Sequence, residues 1–184
     1  MGAAGGWDRI DTIAAGLGPG SFTGLRVGIA TAKGLAMGRN LPAVGVCTLD
    51  ALGRGLGERG GSQRFLLATL DARRGEVFAA LYSNAGEQLW EPWVGSPEEL
   101  AVRVSELPEP PLAAGSGAIR FRGELSSREV EIPEDSDPVH RVAGRHVCAL
   151  AAAPGASGEP LVPIYLRAPD AERWRERDTS QRAQ

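Results

Sequence analysis

A glycine-rich turn at the start of a predicted helix is the first place where this sequence could do chemistry. Gly18, Gly20 and Ser21 stand where free backbone N–H groups could hold a phosphate group. The turn has neither the lysine of a Walker A loop nor the GxGxxG spacing, and Pro19 removes one donor. Ser21 is not in a GxSxG elbow, so helix capping is the favoured interpretation. A nucleotide contact at Gly18, Gly20 and Ser21 is the alternative.

Metal and acid–base chemistry have few candidate residues. The only two histidines, His140 and His146, are six residues apart on a predicted helix and therefore face different ways. They form no HxxH or HExxH pattern, which favours solvent-facing or capping roles over a metal site. Asp71 and Glu76 flank a strand junction, where turn capping and pairing with neighbouring arginines are favoured over acid–base catalysis. We therefore expect no catalytic residue and no metal ligand.

A stripe of small side chains follows the glycine-rich turn, because Gly24, Gly28, Ala32 and Ala36 recur every four residues. Glycine inside a helix costs about 0.5–1 kcal/mol relative to alanine, which indicates that another backbone approaches closely. The stripe could pack on the chain's own sheet, which is the commoner case, or on a helix of another subunit. In the second case the interface residues are Phe22, Gly24, Leu25, Gly28, Ile29, Ala32, Lys33 and Ala36.

The elements that must position these residues begin as alternating strand and helix, which is typical of an α/β protein. They cover 10–17, 21–38, 43–47 and 50–56. After a glycine-rich linker at 60–62, three successive strands joined by short turns predict an antiparallel meander. The strands cover 65–70, 76–82 and 88–94. Trp90 and Trp93 are three apart in the last strand and are expected on opposite faces.

The remaining pattern predicts a serine-capped helix, a short strand, a second helix and an extended closing segment. They start at Ser96 and cover 112–114, 137–152 and 160–166. Residues 168–184 predict a charged, frayed tail.

Composition limits the function classes. The 184 residues are 42% apolar and carry a net charge of −3, which disfavours a chain that grips RNA by itself. Cys47 and Cys148 form no CxxC pair, so a reduced, cytoplasmic protein is expected. No signal peptide and no run of about 18 apolar residues is found in the sequence.

The block GPGSFTGLRVGIATAKGLA at 18–36 resembles the signature of the bacterial TsaB (YeaZ) family almost letter for letter. Further resemblances lie at LDARRGEV (70–77), at the glycine turn GSG (115–117) and at PIYLR (163–167). Together they extend over roughly 7–172. The resemblance implies an actin-like ATPase (ribonuclease-H-like) α/β fold of two lobes. We expect a first lobe at 1–60, a second at 64–167 and the tail at 168–184.

The same resemblance implies a non-catalytic dimerisation subunit. Such a subunit pairs through the helix after the glycine-rich turn with a catalytic TsaD-type subunit, and a small TsaE-type ATPase joins them. The assembly makes N6-threonylcarbamoyladenosine at position 37 of tRNAs that read codons beginning with A. It implies tRNA contact only through the complex, no membrane, no cofactor of its own, ATP at most in the complex, and a possible homodimer.

The family's opening strands and long helix have no counterpart in the sequence. We expect a truncated first lobe whose true start lies upstream; the alternative is a genuine short form that borrows a partner for stability. Two other function classes are weighed against the scaffold subunit. One is an actin-like ATPase with its nucleotide between the turns at 18–20 and 115–117, and the other, disfavoured, is a peptidase.

Overall fold

The computed structural model describes residues 6–59, 65–154 and 161–167. A 3-10 turn, Trp7–Arg9, precedes the first strand, and a second one, Pro138–His140, precedes the last helix. The other elements, in chain order, are β1 Ile13–Gly18, α1 Phe22–Arg39, β2 Ala43–Cys47, α2 Thr48–Arg59, β3 Phe65–Arg73, β4 Glu76–Ser83, β5 Gln88–Gly95, α3 Pro97–Ser105, β6 Leu112–Ala114, α4 Ser116–Arg120, α5 Arg122–Ser126 and α6 Gly144–Ala151.

The first sheet has two parallel strands, β1 and β2, with α1 as the crossover between them. Ser21 caps α1 by accepting a hydrogen bond from the Gly24 N–H at 3.4 Å. Asn40 ends the helix in the left-handed conformation that favours a short polar residue. The predicted helix, its serine cap and the α/β alternation are therefore confirmed.

The second sheet has four strands in the order β5-β4-β3-β6. β3, β4 and β5 form the predicted antiparallel meander, and β6 lies parallel to β3. α2 covers one face through Leu49, Leu52 and Leu56. The short helices α3, α4 and α5 cover the other face, so β3 and β4 are buried on both sides. This explains why these two strands are continuous apolar runs without alternation.

The predicted helix at 137–152 is wrong in its first half. Asp137 caps the 3-10 turn by accepting a hydrogen bond from the Val139 N–H at 2.9 Å. The backbone is extended at Arg141 and Ala143, and α6 begins only at Gly144. The two histidines consequently lie in different elements. They are only 6% and 3% exposed, so a solvent-facing role is wrong for both.

The expectation for the two tryptophans of β5 is also wrong. Trp93 pairs with Ala79 and Trp90 with Leu81, so three steps along β5 match two along β4. This bulge brings both indoles to one face. The Arg103 guanidinium lies 4.4 Å from the Trp90 ring centroid and 5.1 Å from that of Trp93.

Two helices connect the two sheets by packing on the sheet that they do not follow in sequence. α2 follows the first sheet in sequence yet packs on the second, while α6 follows the second and contacts β1, β2 and α2. The predicted linker at 60–62 and the tail at 168–184 lie outside the described residues. Among the described helices, none is long and apolar enough to cross a membrane.

Candidate functional site

The predicted stripe of small residues on α1 divides between two faces of the helix. Ala32 and Ala36 are buried, and Ala32 packs with Ile29 against the first sheet. Gly24 and Gly28 are exposed. A row that repeats every four residues drifts around an α-helix by about 40° per step, so its two ends face different surroundings. Packing on the chain's own sheet is thus confirmed for Ala32 and Ala36. Contact with another subunit stays a prediction for Gly24 and Gly28.

A second row of residues, three of them glycines, stays on the exposed side of α1. Gly24, Gly28, Thr31, Leu35 and Gly38 follow one another at spacings of four, three, four and three, and all five are exposed. This alternation keeps residues on one helix face and is typical of a helix–helix contact. We call this row the open face. The spacing is visible in the sequence, but a constant interval of four from Gly24 does not include Thr31, Leu35 and Gly38.

The glycines of the open face leave the helix backbone uncovered. A Cβ atom built on Gly28 or Gly38 would meet no atom within 4 Å, and one on Gly24 would meet only Ser21. The Thr31 hydroxyl donates to the Val27 carbonyl oxygen at 2.8 Å, so its hydrogen-bonding demand is met inside the helix. A second helix could therefore approach this backbone closely.

Exposed apolar side chains concentrate around the same helix. Four of the nine large apolar side chains exposed among the described residues belong to α1, and two more belong to the closing segment at 161–167. Val27 is 62% exposed and Met37 is 83% exposed. Several exposed apolar side chains on one helix favour an interaction surface. Of the other predicted interface residues, Phe22 and Lys33 are exposed and Leu25 is half-buried.

The glycine-rich turn before α1 is engaged by the chain itself. The Gly18 N–H donates to Thr48 Oγ1 at 3.1 Å. Gly18 has φ +106°, and a Cβ there would come within 3.0 Å of the Ile164 carbonyl oxygen. Glycine is therefore required at this position for both conformation and packing. Gly20 is exposed, and Ser21 is the helix cap described above.

The closing segment at 161–167 fastens this end of α1 to the first sheet. Leu161 is buried in the same cluster as Ile29, and the Ile164 N–H donates to the Leu17 carbonyl oxygen at 2.8 Å. Tyr165 accepts a hydrogen bond from Arg26 Nε at 3.1 Å, and its ring lies 5.7 Å from that of Phe22. The last described residue, Arg167, forms an ion pair with Glu76 at the start of β4. The segment thus bridges the two sheets.

The glycine turn at 115–117 is held by a buried histidine. The Gly115 N–H donates to His140 Nδ1 at 3.1 Å, so the ring proton is on Nε2, which faces the Pro133 carbonyl oxygen at 3.3 Å. Gly115 has φ +109°, and a Cβ there would lie 1.8 Å from the Thr69 carbonyl oxygen. Ser116 Oγ accepts a hydrogen bond from the Asp71 N–H at 3.0 Å.

The carboxylates of this region have structural partners. Asp71 Oδ1 accepts from the Arg73 N–H at 2.8 Å, and Oδ2 lies 3.0 Å from Arg120 Nη1 and 3.6 Å from Arg73 Nη1. The prediction of turn capping and arginine pairing is confirmed for Asp71. Glu76 pairs instead with Arg167, 91 residues away in sequence. Within the described ranges, no group of three or more His, Cys, Asp or Glu side chains is placed to hold a metal ion.

Burial shifts the pKa of two groups near Asp50 in the first turn of α2, the Cys47 thiol at the end of β2 and the Tyr82 hydroxyl of β4. It raises the pKa of the Cys47 thiol to about 11, and the Asp50 carboxylate nearby acts in the same direction. Burial also raises the pKa of the Tyr82 hydroxyl, which donates to Asp50 Oδ1 at 2.7 Å. Both groups are neutral at physiological pH, so they support packing between α2 and the second sheet.

The protein is a ribonuclease-H-like protein of the actin-like ATPase class. This class fits the order of the strands, the alternation of strands and helices in the first lobe, and the motifs where the two sheets meet. The sequence profile described as "TsaD: tRNA N6-adenosine threonylcarbamoyltransferase" matches residues 3–125. Two solved structures from Pseudomonas aeruginosa superpose with a TM-score of 0.65, and each alignment covers 86% of this chain and 74% of the other. One is described as YeaZ, at 28% identity, and the other as an uncharacterised protein with similarity to peptidase YeaZ, at 29%.

Two bacterial proteins are similar to this chain in sequence. The Escherichia coli tRNA threonylcarbamoyladenosine biosynthesis protein TsaB is 47% identical over 81 residues, which is 44% of this chain and 35% of that protein. An uncharacterised protein of Mycobacterium tuberculosis is 36% identical over 163 residues, which is 89% of this chain and 67% of that protein. The chain therefore spans only about a third of the E. coli relative that it matches. The chain belongs to the TsaB (YeaZ) family.

Proposed function

We propose that the chain acts in the biosynthesis of N6-threonylcarbamoyladenosine in tRNA as a non-catalytic subunit that binds a TsaD-type catalytic subunit. The name of the E. coli relative and the description of the matching family profile support this pathway. The open face of α1 supports the binding role, and it is the observation that carries the proposal.

The physical case for binding rests on the shape and the residue composition of the exposed side of α1. Helices with ordinary side chains pack about 8–10 Å apart, and glycines at the contact permit a closer approach. Gly28 and Gly38 leave open space above the backbone, while Val27 and Leu35 supply apolar area beside it. Covering these side chains would remove exposed apolar surface from water, which is the main driving force of association.

The remaining parts of the proposal follow the family. A TsaE-type ATPase joins the pair, ATP is bound at most by the assembly, and a homodimer forms when the catalytic partner is absent. The modified base is adenosine 37 of tRNAs that read codons beginning with A, and the reaction takes place in the cytoplasm. The tRNA is held by the complex as a whole.

The geometry gives less support to an ATPase or a peptidase. The Gly18 N–H that a phosphate would need is donated to Thr48, and Ser21 Oγ accepts from the Gly24 N–H. Both ring nitrogens of His140 are engaged by backbone groups. A nucleotide titration and a peptide substrate screen test these two alternatives directly.

The proposed interface is tested by size exclusion with light scattering, after mixing the chain with its TsaD-type partner. We expect a one-to-one complex for the wild type and its loss in Gly28→Leu. Leucine at this exposed helix position favours the helix itself, so the variant is expected to fold. Gly123→Leu is the matched control, because Gly123 is an exposed helical glycine of α5 that also has open space above it.

Equal binding by Gly28→Leu and Gly123→Leu would show that the open face is not the contact. If the wild-type chain forms no complex, the experiment is repeated with a chain that carries the family's opening strands. Failure of that longer chain as well would overturn the proposed function.

A further inference from the structure

A pocket of about 280 Å³ lies away from the open face, where the C-terminal half of α2, the turn Pro138–His140 and the first turn of α6 meet. The structure joins residues from three separate parts of the chain here. The charged and titratable side chains that line the pocket are Glu58, Arg59, Asp137, Arg141, Arg145 and His146.

The charge of this pocket is positive within a chain whose net charge is −3. Asp137 forms an ion pair with Arg59 and also accepts the Val139 N–H. Glu58 is shared: Arg54 Nε approaches it at 3.2 Å from outside the pocket, and Arg145 Nε lies at 4.0 Å. The pocket thus has three arginines against two carboxylates, both of which already have cationic partners.

His146 brings a buried and unsatisfied polar atom to the same place. The residue is only 3% exposed, and its Nδ1 has no hydrogen bond among the described residues. Nδ1 lies 3.4 Å from Glu58 Oε2, but this contact does not have the geometry of a hydrogen bond. A Cβ on Gly55 would lie 3.1 Å from His146 Nε2, so α2 fixes the orientation of the ring. Buried polar groups normally make a hydrogen bond, and His146 Nδ1 has only the contact with Glu58.

The first turn of α6 adds a third feature. No side chain caps the helix, and its first turn contains no acidic residue. Helix N-termini carry a partial positive charge and free N–H groups, which favour anions. Arg145 and His146 belong to this turn, so the helix end, two basic side chains and the pocket coincide.

We propose that this pocket binds a phosphate group, with Arg141, Arg145 and the first turn of α6 supplying the positive charge. Phosphate would supply the negative charge that the first turn of α6 lacks and an oxygen that could complete a hydrogen bond with His146 Nδ1. The phosphate could belong to an RNA backbone or to a small phosphate-bearing molecule, since both present the same oxygens. The site goes beyond the proposed subunit role and does not depend on the TsaD-type partner.

The test is a calorimetric titration of the 184-residue chain with inorganic phosphate at low ionic strength. We expect saturable binding that Arg141→Gln and Arg145→Gln each weaken roughly two- to fivefold, as for the loss of one exposed charge pair. Arg128→Gln is the control, because Arg128 is an exposed arginine outside the pocket. Glu58→Gln removes a repelling carboxylate and is expected to tighten binding.

The ring of His146 gives an independent readout, because its Nδ1 resonance in ¹⁵N NMR is expected to shift on adding phosphate. The proposal is overturned if the wild type shows no saturable binding, or if Arg141→Gln and Arg145→Gln bind phosphate as well as Arg128→Gln does. Arg145 has a side chain 74% exposed, so its replacement is not expected to disturb folding.

A second arm distinguishes the source of the phosphate. A fluorescently labelled tRNA transcript is titrated with each variant, with inorganic phosphate as competitor. If Arg145→Gln weakens RNA binding and lowers the slope of log K against log salt concentration by about one, the site takes a backbone phosphate. If phosphate binds at these residues and the RNA does not compete, the site takes a small phosphate-bearing ligand. Neither result depends on whether the TsaD-type complex forms.

Discussion

The two sheets of this protein differ in how completely helices cover them. The four-stranded sheet has helices on both faces, and each face holds eleven buried side chains. The two-stranded sheet packs against α1 through a cluster of only four, one of which, Leu161, comes from the closing segment. α1 buries one side and leaves the other, with its glycines, uncovered. The chain thus has a large core around the four-stranded sheet, which supports folding. It also has an uncovered helix, α1, which is available to a partner.

Glycine illustrates the contrast most clearly. Beside the four-stranded sheet, Gly115 and Gly117 at the start of α4 are surrounded so closely that a Cβ would collide with β3. On α1, Gly28 and Gly38 have open space above them. The same residue type therefore permits close packing inside the chain in one region and leaves room for close packing from outside in the other.

The largest expected effect compares a core leucine with one on the open face. Leu67 is fully buried, so Leu67→Ala is expected to lower the free energy of unfolding by about 2–5 kcal/mol through lost burial and a cavity. Leu35 is 39% exposed, and Leu35→Ala is expected to cost less than about 1 kcal/mol. Urea denaturation followed by circular dichroism measures both. Similar losses would mean that α1 is covered in the isolated chain.

The glycines allow a sharper test, because the two substitutions are expected to have opposite signs. Gly115→Ala forces alanine to φ +109° against the Thr69 carbonyl and is expected to destabilise by about 2–4 kcal/mol. Gly28→Ala is expected to stabilise by about 0.5–1 kcal/mol, because alanine is the better helix former. Thermal unfolding of the two variants gives the signs. A destabilising Gly28→Ala would contradict the openness of that face.

A smaller effect is expected at the bridge between the sheets. Arg167 and Glu76 have side chains 21% and 31% exposed, so Arg167→Gln is expected to cost about 1 kcal/mol. A double-mutant cycle with Glu76→Gln isolates the coupling between them. Additive losses would show that the ion pair between Arg167 and Glu76 does not help to hold the closing segment.

The smallest expected effect is on reactivity. The pKa of Cys47 is raised to about 11, so its reactive thiolate is scarce at pH 7.5 and increases only as the pH approaches that value. Cys148 is exposed and should react with maleimide first. Mass spectrometry of the wild type and of Cys148→Ser, sampled over time, measures the two rates. Equal rates at pH 7.5 would contradict the burial of Cys47.

The sequence predicted the regular elements that have long periodic patterns or clear caps. The strands at 43–47 and 112–114 match their predicted bounds, and the serine caps of α1 and α3 are confirmed. α4 and α5 were not predicted, because helices of five residues show too few turns for a period to emerge. The bulge of β5 depends on pairing with β4, which a single strand does not reveal.

The candidate site was predictable to a similar extent. The glycines of α1 identified the helix, but which of its residues face outward depends on where the sheet lies beneath it. Likewise, the pairing of Glu76 with Arg167 joins motifs 91 residues apart and requires the fold. The α6 pocket was not predicted, because His146 and Arg145 are separated from Glu58 by the whole second sheet in sequence.

The hydrogen bonds of His140 make this residue a spectroscopic reporter. Its Nδ1 accepts from Gly115, and its Nε2 donates towards Pro133. Because Nδ1 accepts the Gly115 N–H, this hydrogen bond exists only while the turn at 115–117 is formed. The chemical shifts of two nitrogen nuclei therefore give a residue-specific measure of whether the loop from β6 to α4 is formed. That signal can be followed during titration, unfolding or assembly without any added label.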